Sequence, residues 1–318
     1  MKLVALLPAL LLSLAALPAS GQTKTLRIVV PFGAGGGPDA LARMIQPRLS
    51  ENMGMPVIVD NRPGAGGLIA ADSVLKSPPD GTSLFLGDTA HYGINPTLRA
   101  PLPYDPLKDF APVIEATSSE LYITVGAGVP ATSLQELVAL AKSRPEGLLY
   151  GSSGSGSPHH LAMELLKLES GANLVHVPYK GVAQSVPAIL SGDVAIIISG
   201  PAALLGHHKG GRVRMLAAIN PQRWPGLPEV PTAAEAGFPG VRLDITIGLL
   251  AVAGTPPDMV RRLNEALAKG LKEPEVSSKL NDLGLPVIAG TPEQFAQSIR
   301  RQIDAYGRLV KVSGAKVD

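Results

Sequence analysis

A strand that runs directly into a glycine-rich turn and then a helix recurs along this chain, and that repeat leaves few folds open. Leu26 to Phe32 is a short apolar run that reads as a buried strand. Gly33-Ala-Gly-Gly-Gly-Pro-Asp39 follows as a turn, and residues 40–52 then carry Leu41, Met44, Ile45 and Leu49 at helical spacing. Pro47 sits inside that spacing and is expected to kink or shorten the helix. Residues 56–60 form a second strand, Asn61 to Gly67 a second glycine-rich turn, and residues 68–76 a second helix. Ser83 to Leu86 is a third strand. Such alternation requires an α/β fold with a parallel or mostly parallel sheet.

The pattern continues through the middle of the chain. Strands are expected at 121–125, 148–150, 173–177, 194–198 and 215–219, with helices at 133–142, from Pro158 to Leu168, and up to Leu190. The strand at 148–150 runs into a third turn, Gly151-Ser-Ser-Gly-Ser-Gly-Ser157. Near the C-terminus a strand at 247–252 precedes two helices. Thr255-Pro-Pro-Asp258 is expected to cap the first (259–271), and the capping box Thr291-Pro-Glu-Gln294 opens the second (295–312). The strands near 121–125 and 247–253 bracket a middle block with its own sheet. The expected organisation is therefore two lobes, the first discontinuous (22–123 plus 249–318) and the second 124–248, joined by two strands that suit hinge closure around a ligand.

Composition removes other classes. With 45% hydrophobic and 17% charged residues among 318, the chain is globular, and with aromatics at 4% its core rests on Leu, Val, Ile and Ala. A formal charge of +2 without a basic stripe argues against nucleic acid. The absence of cysteine excludes disulfides, thiolate metal sites, a cysteine nucleophile and a lipid-modified N-terminal cysteine. Met1-Lys2, the apolar run Leu3 to Leu17 and the small residues Ala19-Ser20-Gly21 have the three parts of a signal peptide, residues 1–21, cleaved before Gln22. That apolar run is short for a membrane anchor. The mature protein is expected to be soluble and outside the cytoplasm.

The chemistry resides in the turns. A glycine-rich turn ahead of a helix exposes backbone N–H groups where the helix dipole is positive, so it either packs tightly or binds an anion. Gly33–Gly37 and the hydroxyl-bearing Gly151–Ser157 both have this character, and Gly64–Gly67 and the loop Asp88–Asn95 lie at equivalent ends of the first lobe's strands. A dinucleotide site is disfavoured because Pro38 stands at the last position of G-x-G-x-x-G, although Asp60 sits where a ribose-binding acid would. No serine in 151–157 has glycine on both sides at the spacing of a hydrolase elbow. His159-His160 and His207-His208 lack metal-ligand spacing, and His176 between two valines reads as structural. No catalytic residue, metal or cofactor is therefore expected.

Further segments carry a resemblance. Val30 to Gly37, Asn61-Arg-Pro-Gly-Ala-Gly-Gly67, Pro79-Asp-Gly81, Ile94-Asn-Pro96, Leu102-Pro-Tyr-Asp-Pro106, Ser152-Ser-Gly-Ser-Gly156, His176-Val-Pro-Tyr-Lys-Gly181, Pro228-Glu-Val-Pro-Thr232 and Ala253-Gly-Thr-Pro256 run in order across the mature chain. In these the chain resembles the periplasmic substrate-binding proteins of tripartite tricarboxylate transporters, the Bug/TctC family. The resemblance implies a two-lobed periplasmic-binding-protein fold of the Venus-flytrap, type II-like kind, with a ligand cleft between the lobes. It also implies delivery of a small organic carboxylate to membrane transporter subunits, or in some members service to a sensor. On this sequence the family's ligand turn maps to Phe32, Gly33, Ala34, Gly35 and Gly36, with Thr89, Ala90 and His91 beside it. The second lobe contributes Ser152, Ser153, Ser155, Gly156 and Ser157, and contact is largely through backbone and water. Two departures matter. Pro38 stands where threonine is usual, and Val194-Ala-Ile-Ile-Ile-Ser199 lacks the acids of the family's V-D-x-x-F-D, leaving Ser199 and Gly200. The expected ligand therefore has no ammonium group, as in a dicarboxylate or an aromatic acid, and the expected state is a monomer.

Overall fold

The computed structural model describes residues 24–316; the signal peptide expected at 1–21 lies outside them. The first lobe begins with β1 (Leu26–Val30), α1 (Gly37–Met53), β2 (Val57–Asn61), α2 (Leu68–Leu75), β3 (Ser83–Asp88), the short α3 (Asn95–Leu98) and β4 (Phe110–Ser118). The chain then builds a second lobe from β5 (Tyr122–Gly126), α4 (Leu134–Ser143), β6 (Leu148–Ser152), α5 (Pro158–Ser170), β7 (Leu174–Pro178), α6 (Val182–Ser191), β8 (Ile196–Ser199), α7 (Pro201–Lys209) and β9 (Val213–Ala218). It returns through β10 (Thr246–Val252) and finishes with α8 (Pro257–Leu271), α9 (Pro274–Asp282) and α10 (Pro292–Ser313).

Each lobe holds a five-stranded sheet, in the orders β2-β1-β3-β10-β4 and β7-β6-β8-β5-β9. β1 pairs in parallel with β2 and β3, and β6 with β7 and β8. The strand that enters each lobe from the other runs antiparallel: β10 between β3 and β4, and β5 between β8 and β9. The sheets are thus mostly parallel with one reversed strand each. The expected lobe boundaries at 123/124 and 248/249 fall inside β5 and β10, whose pairing places all of Tyr122–Gly126 in the second sheet and all of Thr246–Val252 in the first.

Most helices and strands follow the apolar spacing, and the exceptions have physical causes. α1 continues through Pro47 over 17 residues, because Leu41, Ile45, Leu49 and Met53 bury one face that outweighs the missing hydrogen bond. Thr255 does not cap α8: its hydroxyl donates to the Val252 carbonyl at 2.8 Å, and Pro256 occupies the capping position. Thr291 and Gln294 do form the reciprocal capping box of α10. β4, with Pro112 and Glu115 interrupting its apolar residues, gives no clear alternating strand pattern. It is an edge strand with a bulge opposite Leu249 and Leu250, where a proline costs little.

Two crossing segments join the lobes and touch each other. Ser119 N–H donates to the Ile245 carbonyl at 2.8 Å, and Glu120 N–H to the Gly284 carbonyl at 2.9 Å. Asn220 clamps the first crossing, accepting from Leu121 N–H and donating to the Ser119 carbonyl. Helix α10 also spans the junction: Tyr306 and Val310 pack into the second lobe's core with Leu161 and Leu243. Within the crossing, the Glu120 carboxyl is buried and its Oε2 has no partner. Burial, with a smaller push from Asp244, raises its pKa to about 7. A carboxyl with a raised folded pKa stabilises the fold below its unfolded pKa of 4.5 and loses that contribution as pH rises through about 7. Glu120→Gln should therefore stabilise the protein at pH 8 by about 1–3 kcal/mol and make no difference near pH 4, as read by urea unfolding at the two pH values; equal effects at both would refute this account.

Candidate functional site

The exposed turn Gly33–Gly35 lies between β1 and α1. Gly36, in extended conformation, occupies the N-cap of α1 without a side chain to bond the first turn's N–H groups. That end of the helix therefore presents donors and the positive end of a dipole. Behind it a network gathers on the buried Asp39 carboxyl. Asp39 Oδ2 accepts from Gly35 N–H and from Arg43 Nε, each at 3.0 Å, and Asp39 Oδ1 accepts from Asn61 Nδ2 at 2.9 Å. Asn61 Nδ2 also donates to the Phe32 carbonyl at 3.1 Å, and Arg43 Nη2 to Asn61 Oδ1. Burial raises the Asp39 pKa, but the donors Arg43, Gly35 and Asn61 outweigh it and hold the carboxyl below its ordinary 3.8. Arg43 offsets the Asp39 charge behind the turn.

The loop after β3 folds inward. Thr89 is fully buried, with Oγ1 accepting from Thr246 N–H at 2.9 Å. His91 is also buried, its Nδ1 2.6 Å from Asp88 Oδ1, and its ring meets Phe32 and Phe85 edge-on. Asp88 Oδ1 accepts from Ala90 N–H as well. Ala90 is the more exposed part of this loop, so Thr89 and His91 hold its shape from behind. The second glycine-rich turn packs on the same imidazole. Gly67 has φ +91°, and a Cβ there would lie 2.1 Å from His91 Nε2, so only glycine fits.

The second lobe answers with the turn between β6 and α5. Ser152 is fully buried, with Oγ 2.6 Å from His176 Nε2, and His176 stacks on Tyr150 and His160. Ser153 Oγ lies 2.5 Å from His159 Nδ1. Gly156 N–H donates to His160 Nδ1, and Ser157 caps α5 by accepting from His160 N–H. Burial pushes His159 down to about 4, with Asp88 of the first lobe opposing that shift. Across the lobes, Arg99 Nη2 donates to the Ser155 carbonyl at 3.4 Å.

Phe32 thus packs on the Thr89–His91 loop, and the Ser152–Ser157 turn is tied to the first lobe through Arg99. Ser199 and Gly200 lie apart from these contacts, at the end of β8 beside the crossing segment. Ser199 pairs with Tyr122, and a Cβ on Gly200 would sit 2.9 Å from the Glu120 carbonyl. The Asp39–Arg43–Asn61 network and the serine–histidine pairs went unseen in sequence, because each joins residues from different elements. Only the Asp39–Arg43 spacing of four, one helical turn, was readable in advance. Among the described residues no cluster of three or more metal-ligating side chains occurs, and no helix is long and apolar enough to cross a membrane.

Known proteins share this architecture. The model of the tripartite tricarboxylate transporter family receptor matches residues 41–315. BugT of Bordetella pertussis is 33% identical over 95% of this chain and 94% of its own. A protein from the tcbD–tcbE intergenic region of Pseudomonas sp. strain P51 is 35% identical over 89% of this chain and 84% of its own. Among solved structures, Rpa4515 of R. palustris with adipate superposes with TM-score 0.88 at 35% identity, covering 94% of this chain and all (100%) of the other. MatC of Rhodopseudomonas palustris with bound malate gives TM-score 0.84 at 31% identity, covering 90% and 98%.

Removing Asp39 tests how firmly the first turn is held. Asp39→Ala leaves Gly35 N–H, Arg43 and Asn61 without their shared acceptor and should cost about 2–4 kcal/mol of stability, measured by urea unfolding at pH 7. Because the folded pKa lies below 3.8, this contribution is present above that pH and lost as pH falls below it. The gap between variant and parent should therefore close in strong acid.

Proposed function

This chain belongs to the tripartite tricarboxylate transporter receptor family, and from that premise we propose that it captures a small organic carboxylate between its lobes in the periplasm and delivers it to the membrane subunits of such a transporter. The observation that carries the reading is the uncapped N-terminus of α1 behind the exposed Gly33–Gly35 turn, braced by the buried Asp39 network. One ligand carboxylate sits on the main chain of Phe32, Gly33, Ala34, Gly35 and Gly36. Ser152, Ser153, Ser155, Gly156 and Ser157 close over it, with Ala90 lining the wall that Thr89 and His91 support, and Ser199 and Gly200 at its edge. The expected signal peptide supports a periplasmic location, and the protein works as a monomer without a cofactor.

The ligand lacks an ammonium group. No acid stands at Ser199 or Gly200, and the acids beside the turns are already engaged: Asp39 with Gly35, Arg43 and Asn61, and Asp88 with Ala90 and His91. Adipate and malate, named with two structural relatives, are both dicarboxylates without an amino group.

The Ser153–His159 pair raises an enzymatic reading, that of a serine nucleophile with its base. An imidazole whose conjugate acid has a pKa of about 4 is too weak a base to draw a serine proton at neutral pH. The other pair is sealed in, since Ser152 is fully buried. We therefore read both pairs as supports for the turn.

Thermal unfolding of the mature protein against dicarboxylates, tricarboxylates, aromatic acids and amino acids tests the proposal. A ligand at about 100 times its dissociation constant should add roughly 2.7 kcal/mol of stability. A rise with one carboxylate class, and none with aspartate or glutamate, is expected. Tight calorimetric binding of aspartate or glutamate would sink the ammonium-free assignment, and a panel in which no carboxylate acts would sink carboxylate capture itself.

A further inference from the structure

Arg99 is a cation in the wall between the lobes without an acidic partner. It follows α3 in the first lobe, and its guanidinium lies over the second glycine-rich turn. A Cβ at Gly66 would be 2.5, 2.6 and 2.7 Å from Arg99 Nη2, Cζ and Nε, so the plane rests face-on against that glycine. Across the cleft, Nη2 donates to the Ser155 carbonyl at 3.4 Å. Nε is buried and has no hydrogen-bond partner. Burial lowers the Arg99 pKa, opposed in part by Tyr104, a phenol that is itself pushed up by burial.

The other cations around the first lobe's turns contrast with it. Arg43 pairs with Asp39 at 3.0 Å, and Arg62 and Arg27 pair with Asp60 at 2.8 and 3.3 Å. Among the described residues no carboxylate lies within ion-pair distance of Arg99, and burying an uncompensated guanidinium is unfavourable. Its planar fork matches a carboxylate. Its two fixed contacts, Gly66 and Ser155, place it beside the turns assigned to the ligand.

We propose that Arg99 receives the second acidic group of the ligand, so that this protein selects dianionic over monoanionic carboxylates. This rests on the carboxylate-capture reading above and adds to it: the main-chain turn Phe32–Gly36 reads the first carboxylate, and a side chain reads the charge at the far end. It also narrows the ligand, because a monoacid of any shape leaves Arg99 uncompensated in the closed cleft.

Calorimetry with straight-chain dicarboxylates of four to ten carbons, each beside its own monomethyl ester, tests the assignment on protein stripped of carried-over ligand. The parent should bind its best diacid about ten- to a hundredfold more tightly than the matching ester. In Arg99→Gln the ratio should collapse toward one, diacid binding falling far more than ester binding. Arg99→Lys, which keeps the charge without the fork, should sit between and covers the case in which the glutamine variant does not fold. A parent that binds ester and diacid equally, or a folded Arg99→Gln with an undiminished ratio, overturns the role of Arg99 while leaving carboxylate capture intact. Failure of every diacid and every ester to bind overturns both.

Discussion

The molecule depends on one strand that comes back. β10 returns from the second lobe and inserts antiparallel between β3 and β4, and all seven of its residues are buried. Its Leu249 and Ile247 join one face of the first lobe's core and Leu250 the other, each contributing about 1.5–3 kcal/mol through burial. Gly248 leaves room for the Phe295 ring of α10, which a Cβ would meet at 2.2 Å. Because the chain must leave after β4 and re-enter before β10, the two crossings are forced side by side, hydrogen-bonded at Ser119 and Ile245. That geometry brings the turns of one lobe opposite those of the other.

The acids beside the glycine-rich turns are all engaged with other groups. The acid nearest the first turn is tied to Arg43 and Asn61, and the acid of the β3 loop to His91 and Ala90. His159 is kept neutral by burial, and Arg99 keeps its charge with only a carbonyl for a partner. Donors from the main chain are oriented by the fold and need little reorganisation when a carboxylate arrives. Glycines allow that close approach, and the buried side chains behind them supply the rigidity.

Local signals made most of the architecture legible. Alternating apolar runs and glycine-rich turns announced the parallel strands β1, β2 and β3 and the helices α1 and α2. The capping box at Thr291 marked α10, and small gaps in the pattern hid β4, α7 and α9. β4 escaped because Pro112 breaks its apolar pattern, which an edge strand tolerates and an inner strand does not. Pro47 misled in the opposite direction, since its local cost is overruled by the buried face of α1. The crossings shifted by a few residues because strand membership is settled by pairing partners, which no local pattern records.

By itself the sequence determined the α/β class, the places of the glycine-rich turns, and the absence of thiol chemistry; these follow from spacing and residue type along a single stretch of chain. Tertiary structure alone decided that Thr89 and His91 face inward, that Asp39 reaches both Gly35 and Asn61, that Ser152 and Ser153 meet histidines, and that Arg99 crosses to Ser155. Each of these joins groups brought together by different elements, so its energy depends on distance and burial in space, which sequence separation does not encode.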